Sequence, residues 1–579
     1  RYRRSVMAIA KVPQLRGDGV FDPDNSDERI APPLIPVAYA RTSDSGDWQL
    51  KVRFENRDGI WQTRLVKEVH LRSRGREVLK FLADDGYPLP PAPETQKVLI
   101  EALCHPGELP RLLLVGTTGW QGEQLGTQFI LGDQVYGGEN AEIQPDETLT
   151  KLGPNLAQSG SLKGWKRYVA KPAKWNPLLI FALSAAFAPP LIGPLRREPF
   201  GLQFFGEGST GKTTVIDVAG SVWGWGSRGY HKTWNTTVNA LEPTAQAHND
   251  ALLALDEVQT GTGERQKPGE SVIPSIFRLL SGEPKKRLGA DGSSLSKSPS
   301  WKLIYMSTSE FDLRKLANDS GQELTKGHQV RCIDIPADTF QFGCFEHVPD
   351  GFDSSAQFAR GLRERCTNHH GTPIDAYLQA ITADEFNWDN WIPWLNARRE
   401  RFQKELEPVP GLPENLADRI VQHFSDIYAA GALASKLEIL PFRSRRIRQA
   451  CAQVYYSAAN HYVADRSKQQ QWAARVLKRF VAEHRRLLTK GYPPSKTEID
   501  CATKCGYLSR KENELAIRDD QLKSKIDGQP GQVLQHLADA GVLIPGTSKR
   551  TKTRKMADGE KIRMLVFNYK RLNALAKKE

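Results

Sequence analysis

Phe200-Gly-Leu-Gln-Phe-Phe-Gly-Glu-Gly-Ser-Thr-Gly-Lys-Thr-Thr214 decides how this chain is read. Phe200 to Phe205 is a short apolar run, expected as a buried strand. It breaks into a glycine-rich turn and then opens a helix from Lys212 to about Trp223. Gly206, Gly211, Lys212 and Thr213 fill the G-x-x-x-x-G-K-[ST] pattern of a phosphate-binding loop. Glycines let the backbone curl so that successive N–H groups point inward, and the helix start adds its positive dipole end. Gly206, Glu207, Gly208, Ser209, Thr210, Gly211, Lys212, Thr213 and Thr214 are therefore the expected contacts to a nucleoside triphosphate. Lys212 would reach the β- and γ-phosphates and Thr213 would ligate Mg²⁺, so the expected cofactors are ATP and Mg²⁺.

Downstream, Ala251-Leu-Leu-Ala-Leu-Asp-Glu257 reads as a buried strand carrying two carboxylates at its C-terminal tip. Open α/β sheets bind ligands at that end of their strands. Asp256 suits a metal partner next to Thr213, and Glu257 suits the group that orients and polarises an attacking water. A kinase needs a substrate hydroxyl in that place, so the adjacent Glu257 favours hydrolysis.

Three further stretches resemble parts of AAA+ ring ATPases. Trp301 to Glu310 is a strand ending in hydroxyls, where such proteins place a residue touching the γ-phosphate and water; Ser307 or Thr308 would serve. The other reading of these hydroxyls is a cap for the helix beginning near Phe311. Gly282 to Lys297 carries an Asp291-Gly292 turn flanked by Lys285, Lys286, Arg287 and Lys297. It resembles the basic hairpin that minichromosome-maintenance and superfamily III helicases push into a central pore, where it would hold DNA phosphates. A solvated basic loop is the plainer reading. Arg331 opens the run Cys332 to Pro336, the place of an arginine finger that reaches a neighbouring subunit's γ-phosphate. The alternative is a surface arginine at a strand end.

Composition bounds the rest. The 579 residues allow three or four domains, and 39 % hydrophobic with 25 % charged residues suit a water-exposed globular chain. Leu178 to Ala188 is too short to span a bilayer, so no membrane partner and a cytoplasmic location are expected. Seven scattered cysteines without a C-x-x-C pair indicate neither a disulfide framework nor a zinc ribbon. The net charge of +13 is concentrated: from His461 to Glu579 there are 26 Lys and Arg against 13 Asp and Glu. Such a basic terminal part suits a polyanion, most simply nucleic acid.

Along the chain, residues 1–30 read as a flexible lead-in and 31–150 as a β-rich collar domain, with a hairpin over Trp48 to Val66 turning at Asn56-Arg-Asp-Gly59. Strand and helix then alternate over 151–345, an α/β core with parallel strands. Residues 346–460 turn helical, the expected lid. In 461–579 a basic helix, Gln469 to Leu488, comes first. Gln532 to Gly541, Arg550 to Met556, Asp558-Gly559 and Lys561 to Phe567 then read as helix, strand, turn and strand. That order suggests a winged-helix module, with Lys549, Arg550, Lys552, Arg554 and Lys555 on the wing facing DNA.

Residues from roughly 35 to 455 resemble the bacterial family called domain of unknown function 927, which includes self-loading replicative helicases of staphylococcal cassette chromosomes and related prophage and genomic-island proteins. The resemblance rests on Gly119-Trp120 with Phe129, Trp175-Asn176 through Ala188, and the phosphate loop through Gly224. It continues in Trp234 to Glu242, His248 to Glu257, Lys286-Arg287 and Trp301 to Glu310. Arg419 through Gly431 resembles the family's lid helix, which makes Arg419 a candidate nucleotide sensor. The resemblance implies an AAA+ fold and DNA work. The expectation is a ring-forming helicase, a hexamer, acting on single-stranded and forked DNA with a primase or other replication proteins as partners. Two alternatives stay open: an ATP-driven nucleic-acid switch without unwinding, and a structural DNA-binding protein whose ATP site controls assembly.

Overall fold

The computed structural model describes residues 14–25, 27–42, 47–73, 75–121, 128–138, 143–146, 149, 155–227, 229–234, 238–256, 268–283, 300–322, 324, 326–490, 492, 505–525, 530–546, 551–555 and 561–577. They fall into two compact units, one of residues 1–408 and 414–458, the other of 409–413 and 459–579. The expected collar, core and lid thus share one unit, and the basic C-terminal part is the other.

The first unit begins with a three-stranded antiparallel sheet, β1 Gln14–Arg16, β2 Gly19–Phe21 and β3 Arg29–Ala31. Within the expected lead-in, residues 14–25 and 27–30 carry these strands, because Val20 and Ala31 enter the same apolar cluster as Leu34, Val52 and Phe54. Next come β4 Leu34–Thr42, β5 Trp48–Glu55, β6 Trp61–Lys67 and β7 Arg111–Val115, then β8 Gly119–Gln121, β9 Gln128–Leu131, β10 Gln134–Tyr136 and β11 Ile143–Pro145. They form a five-stranded sheet, β11-β7-β4-β5-β6, and a three-stranded one, β10-β9-β8. The expected hairpin is β5–β6, paired from Gln49↔Lys67 to Glu55↔Trp61. Its turn is held by the Asn56 side chain, which accepts from the Asp58 and Ile60 N–H groups. Leu50, Val52 and Phe54 bury one face of β5, the period-two alternation of a half-buried strand. Helices Gly75–Asp84 and Pro93–Cys104 cover that face with Leu79, Leu82 and Leu99.

Gly119-Trp120 docks this part onto the core. The Trp120 N–H donates to the Asp250 carboxylate at 3.2 Å and its indole N–H to the Pro190 carbonyl at 2.7 Å.

The core is a five-stranded sheet of β12 Phe200–Phe205, β13 Lys232–Thr233, β14 Leu252–Asp256, β15 Ile304–Ser309 and β16 Cys332–Pro336, in the order β13-β14-β15-β12-β16. Every adjacent pair is parallel. β14, β15 and β16 are buried along their whole length, as parallel strands covered on both faces must be. Leu253, Leu255, Tyr305 and Cys332 pack with Ile273, Ile276 and Leu279 of helix Pro268–Ser281. Past the sheet the chain is helical, as expected, with Ser355–Asn368, Thr372–Ile381, Trp388–Glu405 and Glu414–Lys436.

Helix Ser444–Glu483 begins before the expected basic helix Gln469 to Leu488 and takes in most of it. In the second unit, β17 Leu488–Lys490, β18 Gly506–Ser509, β19 Glu514–Ile517, β20 Leu543–Ile544, β21 Lys552–Lys555 and β22 Lys561–Asn568 make one six-stranded sheet. Helix Pro530–Asp539 and the antiparallel β21–β22 pair match the expected helix–strand–strand order. β17 to β19 add to it: the β18–β19 hairpin pairs with β22, so the unit is built on a wider sheet than a wing alone. Among the described residues no helix is long and apolar enough to cross a membrane.

Candidate nucleotide site

The C-terminal edge of the β12–β16 sheet is where α/β sheets take ligands, and the sequence places its chemistry there. After β12 the chain turns sharply. Gly206 has a φ of 150°, and a Cβ there would meet the Asp338 carboxyl group at 2.7 Å. Gly211 caps helix Lys212–Gly220 in the left-handed region, where a Cβ would meet the Phe345 ring at 2.9 Å. Both positions need glycine. The Lys212 ammonium lies across the loop and donates to the Gly206 carbonyl at 2.8 Å and the Glu207 carbonyl at 2.5 Å. A phosphate cradled by the loop would be within its reach.

Because β12, β15 and β14 run parallel, their tips converge. The Thr213 hydroxyl, one residue into the helix, donates to Asp256 Oδ1 at 3.3 Å across 43 residues of sequence. The Thr308 hydroxyl, from the tip of β15, donates to the same oxygen. A hydroxyl and a buried carboxylate are the hard oxygen donors that suit Mg²⁺, so the residues present fit that ion. Ser307 points to the other face of β15, as strand alternation requires, and accepts from the Trp234 indole N–H at 2.8 Å.

Behind Asp256 lies a network that sequence reasoning missed. His231 places Nδ1 at 2.8 Å from Asp217 Oδ1 and Nε2 at 3.7 Å from Asp256 Oδ2. Asp217 is fully buried in the helix that starts at Lys212 and also accepts from Arg363 Nε at 2.7 Å. Burial opposes the charge on His231, but the hydrogen bond and negative charge of Asp217, with Asp256, outweigh it and raise its pKa. An aspartate inside the apolar run Thr214-Val-Ile-Asp-Val-Ala219 was the signal available in the sequence. Asp338, just past β16, was also missed; its carboxylate accepts from the Glu207 N–H at 3.2 Å.

If this edge hydrolyses ATP with Mg²⁺, replacing His231 with Asn should lower turnover roughly tenfold and raise the Mg²⁺ concentration needed for half-maximal rate, because Asp256 loses the charged group beside it. A Mg²⁺ titration of steady-state turnover checks this. The raised pKa also fixes a sign for stability. The contribution of charged His231 is fully present below its unfolded value of about 6.5 and is lost as pH rises through the higher folded value. The unfolding temperature of wild type should therefore fall relative to that of His231→Asn as pH climbs above about 6.5.

The remaining candidates lie elsewhere. Arg331 is exposed and immediately precedes β16, and its carbonyl accepts from Gly201 N at 2.8 Å. With β16 parallel to β12, Arg331 sits at the N-terminal edge of the sheet, opposite the phosphate loop of its own chain. Arg419 pairs with Glu198 at 3.0 Å, just before the start of β12, whereas the phosphate loop follows the end of that strand. Glu257, Lys285, Lys286, Arg287, Lys297, Lys549 and Arg550 lie outside the described residues. On β21, Lys555 is exposed and Lys552 half-buried, whereas Arg554 is tied to its own sheet through Glu514 at 2.6 Å and the Tyr507 hydroxyl at 3.1 Å.

Residues 18–297 match the family model described as Domain of unknown function (DUF927). Among solved structures, the chain is similar to one described as SCCmec type IV Cch - active helicase. Sequence identity is 18%, the TM-score is 0.68, and 99% of this chain and 100% of that chain are covered. At that identity the likeness is one of fold. No curated protein matches the chain.

Proposed function

The chain carries a domain of the DUF927 family over residues 18–297, and from that premise we propose that it is an ATP-hydrolysing DNA helicase of the AAA+ type. It works as a ring, a hexamer, in the replication of a mobile genetic element. One observation carries the reading: the phosphate loop, Thr213, Thr308 and Asp256 meet at one edge of a parallel sheet, with both hydroxyls on a single carboxylate oxygen. The fold likeness to a helicase over nearly the whole of both chains supports it.

In this reading the loop N–H groups and Lys212 hold the triphosphate, and Thr213 and Asp256 hold Mg²⁺. When bound, Mg²⁺ neutralises charge on the phosphate oxygens. Glu257, next after Asp256, orients the attacking water and draws off its proton. Arg331 serves a neighbouring subunit, since it is exposed at the sheet edge away from its own loop. Lys285, Lys286, Arg287 and Lys297 grip the strand inside the ring, and Lys549, Arg550, Lys552 and Lys555 contact DNA from the C-terminal unit. Arg554 lends its charge to that face while anchored by Glu514.

Steady-state ATP turnover with and without single-stranded DNA tests the reading. Stimulation of several-fold is the expected result. Turnover indifferent to DNA would remove the motor from the account.

A further inference from the structure

The nucleotide site leaves a second cationic feature of the first unit without a role. Between residues 157 and 197 the chain has no Asp or Glu, yet it carries Lys163, Lys166, Arg167, Lys171 and Lys174. Residues 439–459 repeat the pattern with Arg443, Arg445, Arg446 and Arg448 and no acid. A surface that is only solvated usually interleaves both signs. The first group lies on consecutive helical turns, Leu162–Trp165, Lys166–Ala170 and Lys171–Trp175. Trp165, Val169 and Ala173 anchor that segment inward, leaving Lys163, Arg167, Lys171 and Lys174 exposed. Among the described residues no carboxylate pairs with these four or with Arg443, Arg445 and Arg446. Arg448 is different, being held by Glu405 at 2.6 Å.

The two groups meet at a cavity of about 580 Å³ lined by Lys174, Phe442, Arg443, Arg445, Arg446 and Gln449. Beside it stands Trp175, which is 52% exposed. The Arg446 guanidinium lies over its ring at 4.1 Å and the Lys174 ammonium at 4.9 Å. Arg446 is held there by a hydrogen bond to the Lys174 carbonyl at 2.9 Å. Tyr168, further up the same segment, is 40% exposed and has Arg167 over its ring at 5.3 Å.

We propose that this cavity and the stripe leading to it bind single-stranded nucleic acid. The cations take successive phosphates, and Trp175 with Arg446 offers a flat platform for an unpaired base. Cations alone would suit any polyanion, but an exposed indole flanked by cations specifies a partner that brings planar rings along with phosphates. A duplex keeps its bases stacked inside and out of reach of such a ring. A free nucleotide is too short: Lys163 to Lys174 spans about 17 Å of helical rise. The site has a physical link to the phosphate loop. Asn176, next after Trp175, accepts from the Glu346 and His347 N–H groups, each at 2.9 Å, and Cys344 N donates to the Thr210 carbonyl at 3.0 Å.

The test measures binding of a labelled oligothymidine to the full chain without hydrolysis, so it stands apart from the motor reading. Arg443→Ala combined with Arg445→Ala alters two exposed side chains. It should weaken binding on the order of tenfold and flatten the slope of log affinity against log salt by about 1.4, the share of two phosphates. Trp175→Ala should weaken binding at least about fivefold with the slope unchanged. Affinity for a fluorescent ATP analogue should stay the same in both variants. Unchanged oligothymidine affinity and salt slope in the double variant would overturn the proposal. So would loss of ATP-analogue affinity with oligothymidine binding intact, which would assign the cavity to the nucleotide.

Discussion

Lys212→Ala should reduce ATP turnover by at least about a hundredfold and abolish every activity that depends on it. The ammonium is the one cation the loop directs across its own mouth, held at 2.8 Å from the Gly206 carbonyl. Removing a group that meets charge developing on a transferred phosphoryl costs on the order of 10²- to 10³-fold. The fold should survive, because the side chain is only half-buried and one of the two carbonyls it releases, that of Glu207, is on an exposed residue. The expected loss of stability is about 1–3 kcal/mol, the scale of two hydrogen bonds. Thermal unfolding beside a turnover assay separates the two effects.

Arg331→Ala should be as damaging, with a signature of its own. The residue is exposed and offers its carbonyl, not its side chain, to Gly201, so truncation leaves the β12–β16 pairing intact. An arginine that completes a phosphoryl-transfer site is worth on the order of 10³-fold or more. If Arg331 completes a neighbour's site, each single variant is inactive for a different reason. Lys212→Ala lacks a working loop but still offers Arg331; Arg331→Ala lacks the finger but keeps its loop. Mixed rings then contain interfaces with both parts intact. Combining the two inactive variants should restore a measurable fraction of wild-type turnover, rising with total protein concentration. A mixture as inactive as its components would show that Arg331 acts within its own chain or not at all.

What the sequence disclosed follows from how local each signal is. The phosphate loop needs its glycines and Lys212 at fixed spacing. The tip of β14 needs an apolar run ending in Asp256, and the β5–β6 hairpin needs alternation around Asn56-Arg-Asp-Gly59. Each fits within about twenty consecutive residues and was legible. The His231 network was not, because its members come from residues 217, 231, 256 and 363 and meet only once the sheet is folded. The surroundings of Arg419 were not legible either: its place in a lid-like helix says nothing of which end of β12 that helix meets, and its pair with Glu198 lies by the start of the strand. The β18–β19 hairpin escaped because each strand has only four residues, joined through Asn513 at a φ of 53° rather than through a glycine. The opening sheet β1–β3 escaped because Val20 and Phe21 stand alone between Gly17-Asp-Gly19 and Asp22-Pro-Asp24, and Val20 is buried by residues distant in sequence, among them Leu34, Val52 and Phe54.

The central claim is that ATP hydrolysis at the Lys212–Asp256 edge drives strand separation. The most direct measurement is unwinding of forked duplexes of both polarities under ATP, by wild type and by Glu257→Gln. The account predicts that wild type opens at least one fork polarity, and that Glu257→Gln binds ATP yet neither turns it over nor opens either fork. ATP turnover by wild type with both forks left closed would contradict it and leave a nucleic-acid-binding ATPase switch in its place.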